Sequence, residues 1–157
     1  MSDFLALANL IVQIVTSLAI FFAAWQVMFH ARQMHRDLEM NFVQQYWRIM
    51  EKTSLAWRET YFQGDPVTDN DKLAIHRYLQ LCEDEIDLRR NARVTDSTWA
   101  IWAAAIRTTT NVPAYREVFD KVPLGLYPEL TIMLNSDSPQ TYDPLKMSKF
   151  WRRFRGL

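Results

Sequence analysis

Residues 4–29 read FLALANLIVQIVTSLAIFFAAWQVMF, and no Asp, Glu, Lys or Arg interrupts them. A helix crossing the hydrocarbon core of a bilayer needs about 20 predominantly apolar residues, so this run spans with some tilt. A core helix of a soluble protein rarely extends so far without a charge. A cleaved signal peptide wants a basic leading region and an apolar stretch of about 7–15 residues. Here the only early charge is Asp3, and the run is too long. The stretch 4–29 is therefore predicted to be an uncleaved transmembrane helix.

The flanks orient it. The N-terminal side carries Asp3 and no Lys or Arg, whereas His30, Arg32, His35 and Arg36 follow the run. An excess of cations marks the cytoplasmic side, so the N-terminus is expected outside and the rest of the chain in the cytoplasm. The expected location is a bacterial inner membrane, crossed once. Trp25 stands near the cytoplasmic end, where interfacial aromatics collect.

The span has two faces. At about 100° per residue, Asn9, Gln13, Thr16, Ser17, Ala23 and Ala24 share one stripe with Ala6, interrupted by Ile20 and Val27, and Leu10, Ile11, Ile14, Leu18, Phe21, Phe22, Trp25 and Phe29 lie opposite. Small residues let helices approach in lipid, and buried amides need partners there. That stripe is predicted to associate with a second copy or with another membrane protein. A stripe lining a pore is the sharper alternative.

The remaining composition limits the possibilities. The chain has 157 residues, one domain's length, and 49% are hydrophobic. Three glycines, Gly64, Gly125 and Gly156, are too few for Gly-rich phosphate loops or turn-dense β-architectures. Eighteen basic and 18 acidic side chains cancel, so the total charge suggests no nucleic-acid binder. The single cysteine, Cys82, excludes an intrachain disulfide and sits among Leu79, Leu81 and Ile86 as a buried small hydrophobe.

Helical periodicity continues past the span. Leu38, Phe42, Tyr46 and Ile49 recur at helical spacing, and no glycine or proline occurs up to Phe62. A juxtamembrane amphipathic helix is predicted over 30–62, continuous with the span or broken at Thr53–Ser54. Gly64–Asp65–Pro66 is a turn signal. A helical cytoplasmic domain is predicted over 68–135. Its first helix, about 70–91, is capped by Thr68 or Asp69, with Leu73, Tyr78, Leu79, Cys82 and Ile86 as apolar positions and Arg89, Arg90 and Arg93 suiting the negative end of its dipole. Thr95 or Asp96 opens a helix with Trp99, Trp102, Ala103 and Ile106 on one face. Pro113 starts a short helix ending near Val122, and Leu130–Leu134 forms another turn or two. Ser136–Asp143 reads as a loop.

The segment 144–157, PLKMSKFWRRFRGL, holds no acid. Read as one helix, Met147, Phe150, Trp151, Phe154 and Leu157 group on one side, and Lys146, Lys149, Arg152, Arg153 and Arg155 take the rest. Such a helix is predicted to lie in a membrane interface, with aromatics at the acyl boundary and cations at anionic headgroups. Two alternatives are aromatics closing the core, with the cations merely solvated, and a basic–aromatic contact with nucleic acid.

Catalytic signatures are scarce. His76, Glu83 and Asp87 share one side of a helix, but their spacing matches no strong metal or acid–base motif. No nucleophile elbow, P-loop or dinucleotide fingerprint occurs. No cofactor, metal, small-molecule substrate or nucleic-acid partner is expected.

Two segments carry a resemblance. One is the span ending in Ala24–Trp25–Gln26 and running into a basic amphipathic helix. The other is Tyr78–Leu79–Gln80–Leu81–Cys82–Glu83–Asp84–Glu85, then Arg89–Arg90, then Asp96–Ser97–Thr98–Trp99 with Trp102. Together they resemble small, uncharacterised bacterial membrane proteins with one N-terminal span and a helical cytoplasmic domain. The resemblance implies architecture and no activity. A second similarity is to CRISPR-associated membrane effectors that join one span to a HEPN-like helical domain and assemble into a pore. HEPN nucleases carry Arg, four to six residues, then His. Upstream of His76 those positions hold Asp69, Asn70 and Asp71, so the arginine is missing.

The expected fold is all-α. It comprises one transmembrane helix extended into a juxtamembrane helix, a small helical bundle and a basic C-terminal helix. The expected function is non-enzymatic: a membrane-anchored protein that associates with itself or serves a larger membrane complex. An oligomeric pore-type effector, as in antiviral defence, is the alternative, and a tethered hydrolase or nuclease using His76 is the third.

Overall fold

One helix, α1, runs unbroken from Ser2 to Met50 over 49 residues. At about 1.5 Å per residue it is about 73 Å long, more than twice a bilayer's hydrocarbon thickness. The computed structural model describes residues 2–52, 67–123, 125–136 and 141–157, the side chains at 2, 3, 31, 32 and 154 excepted. The helix ends at Met50, in a turn at Glu51–Lys52. The rest of the predicted 30–62 helix, together with Thr53–Ser54 and the Gly64–Pro66 turn, lies outside the described residues.

The two parts of α1 have different surroundings. From Phe4 to His30 every side chain is exposed except half-buried Ala8. From His35 onward the helix packs on the rest of the protein. Ile49 is buried, Phe42 and Tyr46 lean on the core, and Leu38 is half-buried.

Five further helices complete the described residues, and no strand occurs among them: α2 (Asp69–Arg90), α3 (Asp96–Thr110), α4 (Pro113–Asp120), α5 (Pro128–Leu134) and α6 (Lys149–Arg155). The hub is α2, which touches α1, α3, α4 and α5. Neighbours on several sides explain its broad buried arc, with Ile75, Leu79, Cys82 and Ile86 fully enclosed. Leu73 departs from expectation. It is half exposed, because it projects about 180° away from Cys82 on the helix, and Ile75 fills the core instead. Trp102 and Ile106 of α3, Tyr115 of α4, and Leu130 and Met133 of α5 close around α2.

Local chemistry sets the helix ends. Thr68 is the N-cap of α2: its hydroxyl accepts from the Asp71 amide at 3.2 Å, and the Asp71 carboxylate accepts from the Thr68 amide at 3.1 Å. This reciprocal box satisfies two amides that the helix leaves orphaned. Thr95 likewise caps α3, accepting from the Thr98 amide at 3.3 Å. At the other end of α2, Ala92 takes φ 57. The Ala92 amide donates to Arg89 O at 3.1 Å and the Arg93 amide to Leu88 O at 3.0 Å. These are the two bonds of a Schellman turn, with alanine where glycine is usual.

Residues 142–148 form no helix, so the C-terminal helix is shorter than the predicted 144–157. They run as an extended strap over the helical head that α2–α5 form on the packed end of α1, with Pro144 and Leu145 buried. Trp99 Nε1 donates to Tyr142 O at 3.3 Å. Asp143 Oδ1 accepts from the Leu145 amide at 3.0 Å, and these local bonds compete with helix formation.

Candidate functional site

The span's small-polar stripe is exposed along its whole length. Its polar members divide into two kinds. Thr16 Oγ1 donates to Val12 O and Ser17 Oγ to Gln13 O, both at 2.8 Å, so these hydroxyls are satisfied within their own helix. The amides of Asn9 and Gln13 make no hydrogen bond among the described residues. The polarity that needs a partner in lipid therefore belongs to Asn9 and Gln13, one helical turn apart, with Ala23 and Ala24 further along the same stripe. Trp25 is exposed nearby.

The head is clamped to α1 just beyond the apolar run. His35 Nδ1 donates to Arg93 O at 2.9 Å; a carbonyl only accepts, so Nδ1 carries the proton. Glu39 Oε1 accepts from the Thr95 amide at 3.0 Å and from Thr95 Oγ1 at 2.9 Å. One carboxylate thus ties the spine helix to the start of α3. Beside the clamp is a groove of about 540 Å³, between the 27–38 stretch of α1, the α2–α3 turn and the end of α6. Val27 and Met28 belong to the apolar run itself, so the groove begins where the predicted span ends. Arg93 and Arg155 supply its cations.

The C-terminal helix turns two of its aromatics outward. Phe150 and Trp151 are exposed at 73% and 55%, and their rings meet edge to face at 5.8 Å. They do not close the core. Lys146, Lys149, Arg153 and Arg155 are exposed as expected, as is Arg36 on α1. Arg32 lies on α1, but its side chain is outside the description, as is that of Phe154. Arg152 is the departure. Its Nη1 reaches Asp143 at 2.8 Å and Asp96 at 3.2 Å, and its Nε and Nη2 donate to Met147 O and Leu145 O at 2.9 and 2.7 Å. It is held inside as the staple of the strap rather than presented to an interface.

The carboxylates that hold Arg152 also hold Arg89. Arg89 is fully buried. Its guanidinium meets both oxygens of Asp143, one oxygen of Asp96, and Val94 O at 2.9 Å. Burial alone would raise the Asp143 carboxyl, but the Arg89 and Arg152 hydrogen bonds hold it below its ordinary value. Sequence reasoning placed Arg89 at the helix end as a dipole partner and missed this role. The signal was there in Asp143, the last acid before an acid-free segment rich in arginine.

The remaining chemical candidates do not converge. His76 and Asp87 are exposed on α2, and Glu83 lies about 10 Å along the helix from His76. Glu83 instead caps α5, accepting from the Glu129 amide at 2.9 Å and the Leu130 amide at 2.8 Å. Arg90 pairs with Glu129 beside it. Among the described residues no group of three or more His, Cys, Asp or Glu is placed to hold a metal. Cys82 is enclosed, and burial pushes its thiol well above the ordinary value, away from a reactive thiolate.

The chain matches no family model, and comparison with curated proteins and with solved structures finds no similar one. The class therefore rests on the structure alone. This is an all-helical protein with one helix long and apolar enough to cross a membrane, its most apolar 18-residue window having mean hydropathy 2.2 and no residue buried.

Proposed function

We propose that the protein is a single-pass, non-enzymatic inner-membrane component that associates through its span and holds a helical head against the cytoplasmic leaflet. It acts on its own copies or as an accessory subunit of a larger membrane complex. The observation that carries this reading is the division of α1. Its apolar part has no buried residue, while its charged part is the spine of the head. A helix exposed at every position from Phe4 to His30 but Ala8 presents far more apolar surface than a soluble monomer tolerates. Membrane insertion removes that surface from water.

Three features support the interfacial placement of the head. The clamp at His35 and Glu39 begins within two turns of the apolar run. The end of α6 borders the groove that Val27 and Met28 also line, which brings Arg155 to the level of the predicted membrane surface. Phe150 and Trp151 point outward beside Lys149, Arg153 and Arg155, a mixture suited to an acyl boundary under anionic headgroups. Each such cation contributes about 1 kcal/mol near an anionic surface.

Native mass spectrometry of the full chain in lipid nanodiscs tests the association. Dimers or small oligomers are the expected result. A strict monomer that captures no partner from its own membrane overturns it. The pore-type reading has one observation in its favour, the unpaired Asn9 and Gln13 amides on one stripe. It requires a closed ring of about six copies or more with single-channel conductance, because few helices enclose no lumen.

A further inference from the structure

We propose that the groove between α1, the α2–α3 turn and the end of α6 binds the headgroup and upper acyl chain of one anionic phospholipid. The inference rests on the reading that residues 4–29 span the bilayer. It adds a defined lipid site to a general interfacial attraction.

The groove's two kinds of wall carry the argument. One is apolar: Val27, Met28, Met34 and Leu38 continue the surface of the span out of the hydrocarbon. The other is cationic, with Arg93 from the α2–α3 turn and Arg155 from α6. No acid lines the groove among the described residues. A phosphodiester has one negative charge on two non-bridging oxygens that a guanidinium fork can meet, and in an anionic lipid no headgroup ammonium cancels that charge. A free phosphate would use the arginines and leave the apolar wall bare. A phospholipid uses both, because its glycerol and first acyl carbons continue from the phosphate toward Val27. The volume, about 540 Å³, suits a headgroup and the start of a chain.

The walls are also held in place. Arg93 is anchored through its own carbonyl, which accepts from His35, and through its amide, which closes the Schellman turn. Its side chain is exposed and free of these bonds. The floor between the two arginines is Ala92, whose left-handed backbone turns the chain sharply there. Arg155 reaches the groove because Arg152 fastens α6 to the strap. Ligand and fold therefore use different atoms, and the arginine side chains can be changed without touching the clamp.

The test uses the full chain in detergent micelles, titrated with dihexanoyl phosphatidylglycerol, with dihexanoyl phosphatidylcholine and with glycerol phosphate. The expected result is saturable binding of one phosphatidylglycerol, about tenfold or more tighter than phosphatidylcholine. Replacing both arginines, R93Q with R155Q, is expected to abolish that preference. The charge-conserving pair R93K with R155K should retain most of it, and R77Q, far along α2, should leave it within about twofold. Thermal melting of each variant reports whether the head still folds. Equal binding of the two lipids, or an undiminished preference in R93Q/R155Q, overturns the proposal. Glycerol phosphate binding as tightly as the lipid also overturns it, in favour of a free-anion site. Carbonate extraction of membranes tests the span separately. A chain that stays in the pellet but shows no lipid preference refutes only the groove, whereas a chain released into the supernatant refutes the spanning reading itself.

Discussion

Arg89 and Asp143, 54 positions apart, form a two-pronged pair through the head, with Nε to Oδ1 at 2.9 Å and Nη2 to Oδ2 at 2.7 Å. The arginine is fully enclosed and the aspartate is one-quarter exposed. Through this pair the hub helix holds the strap, and through the strap it holds α6. Removing one member leaves a buried charge without its partner, which costs about 3–5 kcal/mol. Arg89→Ala is expected to lower Tm sharply, and Asp143→Asn somewhat less because Asp96 still faces Arg89. Asp143→Asn should also release α6, read as faster amide exchange over 149–155. Unchanged exchange there would mean the strap is held by Trp99 and Leu145 alone.

The same pair makes the head acid-sensitive. The Asp143 carboxyl is held below its ordinary value, so the folded state favours the ionised form. A group depressed in this way contributes stability that is fully present above the unfolded-state value, near 4, and is lost as pH falls through the lower folded value. Tm should therefore fall as pH drops below about 4, and the fall should be shallower in Asp143→Asn. Parallel acid curves for the two proteins would place the acid sensitivity elsewhere.

Glu85 has the opposite sign. Burial, reinforced by Asp84, pushes its carboxyl up to about 8. Below about pH 4.5 the folded and unfolded states are both protonated and nothing is lost. Between there and about 8 the folded state keeps a proton that the unfolded chain has released, so stability declines as pH rises through that window and stays low above it. Glu85→Gln removes the titration. It should melt near wild type at pH 4.5 and be more stable at pH 8, by on the order of 4 kcal/mol. A constant difference across that range would show that Glu85 ionises freely in the folded protein.

Different features of this chain were legible to different degrees in its sequence, and the reason is range. The apolar run 4–29, the helix starts at 68–69 and 95–96, and the core positions Tyr78, Cys82, Trp102 and Ile106 follow from period, propensity and turn chemistry, all of which are local, and the structure chooses Thr68 and Thr95 as the caps. The structure agrees at each. The failures involve distant partners. A helical wheel cannot register that Asp96 and Asp143 converge on one side of α2, so Arg152 looked like one cation among five. The same wheel treated 144–148 as helical, although Asp143, Arg152 and Trp99 bind its backbone or its neighbours in an extended path. Leu73 looked like core because it is apolar in a helix with a broad apolar arc, and only the positions of its neighbours reveal the side left open. The groove required three segments to meet, at 27–38, 91–93 and 155–156, and no local pattern brings those together.

The α2–α3 turn offers a stabilising change. Ala92 holds φ 57, a left-handed conformation costing an L-residue roughly 1–2 kcal/mol that glycine avoids. Glycine loses part of that gain through greater freedom in the unfolded chain. Ala92→Gly should raise stability by about 1 kcal/mol, seen as a higher Tm with unchanged oligomeric state. A lower Tm would mean that the Ala92 methyl, which is buried, contributes more by packing than its backbone loses.

The stripe on the span makes the last prediction selective. Asn9, Gln13, Thr16 and Ser17 look alike as polar residues in an apolar helix, but their hydrogen bonds separate them. Thr16 and Ser17 already donate to carbonyls one turn back, so their removal leaves no group in need of a partner. The Asn9 and Gln13 amides find no acceptor or donor on their own helix. In lipid they gain most by meeting each other across two copies, with interhelical bonds there contributing about 0.6–2 kcal/mol each. Asn9→Leu with Gln13→Leu is therefore expected to weaken self-association in nanodiscs by about tenfold, whereas Thr16→Val with Ser17→Ala changes it little. Gln13→Leu with Ser17→Leu falls between, since it removes one amide at 13 and adds the bulk of leucine at 17 to the small-residue face. Equal loss from the Asn9/Gln13 pair and the Thr16/Ser17 pair would shift the cause from hydrogen bonding to shape, and no loss from either would remove the span from the interface altogether.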